Sequence, residues 1–415
     1  MKLLTEKQAY EALKTVYVNG KYSTIALNNI LVKSPVELKA SITAIFYGVL
    51  ENSLQFDYIV DKLVQKRPAE PIIILLKIGL YFLRKTDTPD YASVNKAVDL
   101  AKAVGKGGIS GFINAVLKKS VCIELPEPIN TRNLSIISSF PKWILDKIEL
   151  EHGFDFTKNF ALYKLTTNTH IRVNLSKLSI EEFEKKYPFM IKYSSQFGYY
   201  VCHTMQNRLE NKDYVIQSLA SIKAVQHFIK GFYPKNILDL CASPGGKAVY
   251  LKQLFPTAEV VACDIHTHRV ALIEKYADKV GVKITTLKND AAILNHDFVN
   301  KFDLVICDVP CSGIGVAHKK PDVLLVKKPA DVESLVQIQK AIISTASNYV
   351  KQNGLLCYST CTVFKDENEG IINDFLRRNK EFLLPQAPLI LYPHLNNTDG
   401  FFAVVLKNNS KAEGQ

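Results

Sequence analysis

Two cysteines stand where an apolar run stops. One ends Phe302-Asp-Leu-Val-Ile-Cys-Asp308-Val-Pro310-Cys311, the other ends Gly354-Leu-Leu-Cys-Tyr-Ser359-Thr360-Cys361. Upstream of both lies Leu238-Asp239-Leu-Cys241-Ala242-Ser243-Pro244-Gly245-Gly246-Lys247, a short apolar run followed by a glycine loop. In an open α/β sheet the ligand sits outside the carboxyl ends of the strands, beside such a loop. Thiols at that edge suit covalent chemistry next to a bound nucleotide-like cofactor.

The loop is neither the dinucleotide fingerprint GxGxxG nor a P-loop, because Ala248 follows Lys247 where a magnesium-binding hydroxyl would stand. The glycine pair lets the backbone approach a ligand closely. The next apolar run ends in Ala262-Cys263-Asp264, 25 residues after Asp239, where a carboxylate can accept from the two hydroxyls of a ribose. A third run leads to Asn289-Asp290, an acceptor for an adenine amino group. Ribose and adenine acceptors without a phosphate cradle suit S-adenosylmethionine better than a dinucleotide.

Thiols beside a sulfonium suit one demanding reaction. Carbon 5 of cytosine is a poor nucleophile, but a thiolate adding to carbon 6 makes the ring an enamine whose carbon 5 attacks a methyl group. Loss of the carbon 5 proton and expulsion of the thiol then release product. Cys361 and Cys311 are the candidate thiols. Asp308 can hydrogen-bond the cytosine edge, and Lys247 can lower a thiol pKa or contact the pyrimidine carbonyl. A lone strand-end cysteine is most often inert packing; two beside proline and glycine loops shift that balance.

Several kinds of element must position these residues. Residues 1–125 read as a helical domain with short polar linkers: Ser34-Pro35-Val36-Glu37 has the form of a capping box, and apolar residues recur at helical spacing through Ile72–Leu83, Ala92–Lys102 and Ile113–Lys118. Residues 126–230 read as a linker and a small α+β segment, with a strand at Thr169–Asn174 and a capped helix from Ser179 to Lys186. Residues 231–410 alternate strands (Asn236–Leu240, Val260–Cys263, Ile284–Leu287, Leu304–Cys307, Leu355–Tyr358) with helical segments, which predicts a mostly parallel sheet covered on both faces and closed by Phe401–Leu406.

Composition sets further limits. Of 415 residues 47% are hydrophobic and 22% charged, which is ordinary for a soluble protein of two or three domains. The longest apolar stretch, Pro71–Leu83, is too short to span a bilayer, and Lys2, Glu6 and Lys7 exclude a signal core, so the expected location is cytoplasmic with no membrane partner. Eight cysteines without a CxxC pair do not form a disulfide framework, and Cys307 and Cys357 inside strand runs argue against a four-thiolate metal site. Lysine plus arginine exceeds aspartate plus glutamate by 17 to 11 in residues 1–125, 14 to 10 in 126–230 and 21 to 19 thereafter. A polyanion would therefore be held toward the first half. Lys319, Lys320, Lys327 and Lys328 flank the Pro-Cys loop where an RNA backbone would lie, and Phe140, Trp143, Tyr199 and Tyr200 are aromatics that could stack bases.

These motifs together resemble the RNA (cytosine-5)-methyltransferase family, and within it the bacterial 16S rRNA enzymes of the Sun/Fmu type. The likeness rests on Leu238–Lys247, Val261-Ala-Cys-Asp264, Asp308-Val-Pro-Cys-Ser-Gly313, and Ser359-Thr-Cys-Thr362 followed by Glu367-Asn368. It implies an α/β, Rossmann-like S-adenosylmethionine methyltransferase domain, preceded by an all-α NusB-like RNA-binding bundle and a small α+β RNA-binding subdomain. The bundle is suggested by Asn95–Lys102 and Asn114–Lys118, the subdomain by Ser139–Trp143, Ile171–Asn174 and Gln217. By position the resemblance makes Cys361 the nucleophile and Cys311 the residue that helps release product, with Asp308 and Lys247 beside them. It puts the cofactor on Cys241, Ala242, Ser243, Pro244, Gly245, Gly246 and Lys247, with Asp264, Asp290 and Asp308. It implies a monomer acting on 16S rRNA with no metal. Ser243 stands where the family commonly has alanine, Thr362 where it has serine, and His318-Lys319-Lys320 before Pro321-Asp322 where it has arginines and a histidine. A tRNA cytosine, a non-catalytic RNA-binding assembly factor and a zinc protein remain as rival readings.

Overall fold

Apolar residues at helical spacing draw the first 163 residues into a bundle. Its helices run Leu4–Tyr17, Ser23–Leu31, Val36–Glu51, Ser53–Leu63, Glu70–Lys85, Asp90–Ala103 and Ser110–Ser120, then Thr131–Ser138, Lys142–His152 and Phe154–Leu162. Leu13, Phe46, Phe56, Leu76, Leu80, Leu100 and Leu117 form its fully buried centre. Gly79 lets two helices touch: a Cβ there would lie 2.6 Å from the Leu117 side chain. The computed structural model describes residues 4–164, 169–188, 199–202 (side chains excepted) and 212–410. It divides into two units, Met1–Tyr163 with Ala317–Lys327, and Lys164–Val316 with Lys328–Gln415.

The division corrects an expected boundary. The segment 126–230 is not one subdomain, since its three helices up to Leu162 belong to the first unit and the remainder to the second. Within the expected 231–410, the segment 317–327 packs with the helical unit. There Asp322 accepts the Ser23 N–H at 3.1 Å, and the His318 ring lies 5.8 Å from those of Phe140 and Phe160. Three of the four lysines expected around the Pro-Cys loop thus belong to the first unit and Lys328 to the second. Phe140 is buried as core rather than presented for stacking. The Tyr199 and Tyr200 side chains lie outside the described residues.

The capping box expected at Ser34 does not form either. The Ser34 hydroxyl donates to Ile30 O at 2.7 Å, closing the preceding helix, and Pro35 caps Val36–Glu51 without a side-chain bond. The equivalent signal at Ser179 does form: Glu182 N–H donates to Ser179 Oγ at 3.1 Å and Ser179 N–H to Glu182 Oε2 at 2.6 Å.

In the second unit, β1 (Thr169–Val173) pairs antiparallel with β2 (Tyr199–Cys202) and β3 (Tyr214–Ile216). The large sheet contains β4 (Asn236–Asp239), β5 (Glu259–Asp264), β6 (Thr285–Lys288), β7 (Phe302–Asp308), β8 (Val350–Thr360), β9 (Phe382–Leu383), β10 (Leu389–Leu391) and β11 (Phe401–Asn408). Its order is β10-β11-β8-β7-β4-β5-β6, with β9 on β11. The strands β6, β5, β4, β7 and β8 are parallel, and β11 runs antiparallel to β8. The chain leaves β4 toward β5 on one side and returns to β7 on the other, so the crevice for a ligand opens at the β4–β7 carboxyl ends. Alternate residues feed two cores: Ile237, Ile306 and Cys357 on one face, Leu238, Val305 and Cys307 on the other. Cys307 and Cys357 thus face apart, and the two C-x3-C pairs do not converge on one point. Among the described residues no helix is long and apolar enough to cross a membrane.

A buried cation in the helical unit yields a stability test. Lys77 is 1% exposed; its Nζ donates to Ser53 Oγ at 2.8 Å and to Asp57 Oδ2 at 2.9 Å, above the Tyr17 ring. Burial pulls this ammonium below its usual range, against the pull of Asp57. Asp57 is also held by Arg67 at 2.5 Å, so it stays compensated without the lysine. Asp57→Ala strands the ammonium and is expected to cost about 3 kcal/mol, whereas Lys77→Met costs under about 1 kcal/mol. The midpoint of the helical unit's calorimetric transition measures both.

Candidate active site

The glycine loop starts where β4 ends, at Asp239, and hands the chain to the helix Gly246–Leu254. Ala242 N–H donates to Cys263 O at 2.8 Å and Gly245 N–H to Ala242 O at 2.6 Å, which fixes the turn. Gly245 has φ +107°, a backbone conformation in which a side chain is strained, and a Cβ there would crowd Ile273 and Tyr276 at 3.3 Å. Gln217 supports the loop from outside, its Nε2 donating to Gly246 O at 3.4 Å. Behind it Arg172, fully buried, donates to Gln217 Oε1 at 2.6 Å and to Gln253 Oε1, its guanidinium over the Tyr250 ring. Arg172 therefore braces the loop from inside the fold and is not exposed to an RNA backbone.

Asp239 is 1% exposed, and its carboxyl oxygens have no side-chain hydrogen-bond partner; the Cys241 backbone N–H is the donor that faces them. Burial pushes its pKa up to about 7; the Lys247 ammonium pulls the other way, and Asp308 and Asp264 add to the rise. Asp264 closes β5 and accepts the His266 N–H at 3.1 Å. Asp290 follows β6 and accepts the Ala292 N–H at 3.0 Å. Next to these acids Ile265 and Ile293 stand exposed, an apolar surface for a flat ring. A buried carboxyl with no side-chain partner, a glycine loop at positive φ and two strand-end acids fit a nucleoside cofactor with an amino or cationic group. The remaining thiols here are inert: burial raises Cys241 well above the usual thiol range and Cys263 to about 12.

Lys247, in the first turn of the helix, reaches across the sheet to β7. Its Nζ donates to Asp308 Oδ2 at 2.5 Å, while Ser359 Oγ, from β8, donates to Asp308 Oδ1 at 2.6 Å. Burial lowers the lysine pKa, but Asp308 more than offsets this, and the ammonium titrates above its usual range. It is thus committed to Asp308. The Cys361 thiol also lies within its electrostatic reach, so the ammonium favours a thiolate there while it is hydrogen-bonded to Asp308.

Cys311 and Cys361 meet beyond the ends of β7 and β8, with Sγ atoms 3.3 Å apart, and Cys361 N–H donates to Cys311 Sγ at 3.3 Å. The loops carrying them are tied together at every level. Gly315 N–H donates to Cys361 O at 3.0 Å and Gly400 N–H to Gly315 O at 2.8 Å, at a crossing with no room for a Cβ on Gly315. The Ser312 and Thr362 hydroxyls lie 2.7 Å apart. Thr360 Oγ1 donates to Asn368 Oδ1 at 2.5 Å, and Asn368 Nδ2 to Thr362 O at 3.2 Å. The hydrogen bond to Cys361, followed by burial, lifts Cys311 well above the usual thiol range.

Every site residue read from the sequence therefore lies at one edge of one sheet. Lys247 and Asp308 bond directly, the two thiols touch, and Asp264 and Asp290 stand on neighbouring strand ends without bonding each other. Asp239, Ser359, Ser312, Gln339 and Glu367 were not singled out as site residues. Gln339 did carry a signal, as a polar residue on the buried face of Pro329–Ser347.

Two families match the chain, one toward each end. Residues 233–407 match the family described as 16S rRNA methyltransferase RsmB/F, and residues 5–121 match the NusB family. "Probable ribosomal RNA small subunit methyltransferase B" of Bacillus subtilis (strain 168) is 29% identical over 436 residues, 95% of this chain and 96% of that protein. "Ribosomal RNA small subunit methyltransferase B" of Photorhabdus laumondii is 28% identical over 379 residues, 86% of this chain and 87% of that one. The crystal structure of PH0851 superposes with a TM-score of 0.78 at 22% identity, over 96% of this chain and 98% of its own. NSun6 from Pyrococcus horikoshii superposes at 0.56 with 20% identity, over 66% of this chain and 100% of its own. The structural likenesses bear on fold. Taken with the family matches, they identify residues 233–407 as a methyltransferase domain of the RsmB/F family, carried behind a NusB-family domain at residues 5–121.

Proposed function

We propose that this chain transfers a methyl group from S-adenosylmethionine to carbon 5 of a cytosine in 16S ribosomal RNA, through a transient bond between Cys361 and the base. The observation that carries the reading is the pair of thiols 3.3 Å apart beside the Lys247–Asp308–Ser359 bonds. Bound on the glycine loop, the cofactor supplies an electrophilic methyl group. Asp239, Asp264 and Asp290 hold its amino, ribose and adenine groups.

Cys361 Sγ adds to carbon 6, which places electron density on carbon 5. Asp308, fixed by Lys247 and Ser359, presents its carboxyl to the base edge and orients the ring for that addition. After methylation the carbon 5 proton leaves, the Cys361–carbon 6 bond breaks, and Cys311, held as a thiol beside Cys361, assists release. Relatives named for the small-subunit RNA and the NusB-family unit with its basic excess favour ribosomal RNA over tRNA. The assembled thiols and acids favour an enzyme over a scaffold.

Two measurements test this. Cys361→Ala should lower methyl incorporation into small-subunit RNA by on the order of a thousandfold or more and form no adduct. Cys311→Ala should leave protein bound to RNA as a denaturant-resistant species. Reversed outcomes would reassign the nucleophile.

The second concerns Asp239, whose carboxyl is raised from 3.8 to about 7. The fold holds this proton more tightly than the unfolded chain does, so the stability it gives is complete below the unfolded value and is lost as pH rises through about 7. A cationic cofactor group favours the ionised form. Cofactor affinity should therefore tighten from about pH 6 to about pH 8, with proton release, and Asp239→Asn should flatten the profile. Titration calorimetry in two buffers of different ionisation enthalpy reads both; an unchanged slope in the variant removes Asp239 from the cofactor site.

A further inference from the structure

Beneath the Cys311 loop lies a carboxyl that the reaction above does not use. Glu367 is fully buried in the short turn that follows Cys361. Its Oε2 accepts the Ser312 N–H at 2.8 Å and the Gln339 Nε2 amide at 2.9 Å; its Oε1 has no hydrogen-bond partner. The same Gln339 amide donates to Pro310 O at 2.9 Å. The Glu367 backbone is fixed as well, since its carbonyl accepts the Tyr358 hydroxyl at 2.6 Å.

Pro310 and Ser312 are the residues on either side of Cys311. One carboxyl oxygen therefore holds the loop directly after the thiol, and through Gln339 it holds the loop directly before it. What the position requires is an acceptor able to take two donors at one oxygen, on a turn rigidly attached to the Cys361 loop.

We propose that Glu367, with Gln339, is a positioning residue for product release: by fixing Pro310 and Ser312 it holds the Cys311 thiol against Cys361. The proposal rests on the covalent reading above. It separates two steps. Addition of Cys361 to the base needs Cys361, Asp308 and the cofactor residues, which Glu367 does not touch. Release needs Cys311 within reach of the adduct, and that distance depends on the Glu367–Gln339 tie.

The test compares Glu367→Ala, Glu367→Gln and Cys311→Ala in the full chain, with small-subunit RNA and S-adenosylmethionine. Turnover and adduct on denaturing gels are followed, with cofactor binding as a check on folding. Glu367→Ala should turn over about tenfold more slowly and accumulate adduct as Cys311→Ala does. Glu367→Gln keeps an acceptor oxygen for both donors and should stay within about threefold of the parent with little adduct. Adduct-free turnover at the parent rate in Glu367→Ala, or equal losses in the two variants, overturns the proposal. Should Glu367→Ala fail to bind cofactor, Gln339→Ala decides: adduct accumulation supports the tie and parental release refutes it. Absence of adduct even in Cys311→Ala would instead be a failure of the covalent reading.

Discussion

The site depends on the parallel pairing of β7 with β8. Their register sets Ile306 against Cys357 and Asp308 against Ser359. Cys311 follows Asp308 by three residues and Cys361 follows Ser359 by two, so the pairing delivers both thiols to the same point just past the strand ends. A slip of one residue would exchange the two faces of a strand, send Asp308 into a core and separate the thiols. The surrounding apolar clusters pin that register: Ile306 and Cys357 belong to one, Val305, Cys307 and Tyr358 to the other. The inert cysteines thus help to place the reactive ones.

Charge is arranged around this pairing with equal economy. Lys247 is the cation bonded to Asp308, and Asp239 lies close enough to feel both, its own oxygens without a side-chain partner. With Asp239 ionised these three groups carry one net negative charge, which a cationic ligand relieves. A buried carboxyl without side-chain partners is hard to explain as a stabilising feature; as one side of a cofactor site it has a physical reason.

Much of this was legible in the chain. Alternating apolar runs and helical segments gave the order of the catalytic sheet, because a strand buried on both faces has little choice of residue. The glycine loop and the strand-end acids read from the chain do come together at the carboxyl ends of β4, β5 and β6, because the parallel order of those strands brings their ends side by side. Local signals competed less predictably: Ser34 and Ser179 begin similar capping motifs, but the Ser34 hydroxyl is taken by the carbonyl of a preceding helix, which a short motif cannot foretell. The unit boundary was illegible for a related reason. Residues 317–327 join the helical unit through the Asp322 carboxyl and the His318 ring, and such long-range partners leave no periodicity. Gln339 and Glu367 were missed because a residue that acts through backbone amides is recognised by what it touches.

Two identical functional groups 3.3 Å apart can divide labour only if their surroundings differ. The difference here is written in the hydrogen bonds. Cys311 Sγ accepts the Cys361 N–H, and its loop is fastened from below to a buried carboxyl; Cys361 is attached above all through its backbone carbonyl, which accepts from Gly315. The hydrogen bond to Cys361 and burial favour the protonated form of Cys311, and the nearby Glu367 carboxyl adds to them. A nucleophile must become a thiolate and leave its partner to reach a ring carbon, whereas a proton carrier must keep its proton and stay in place. The tighter cage belongs to the residue that should not move. This asymmetry is consistent with the proposed division of roles, in which Cys361 attacks and Cys311 assists release.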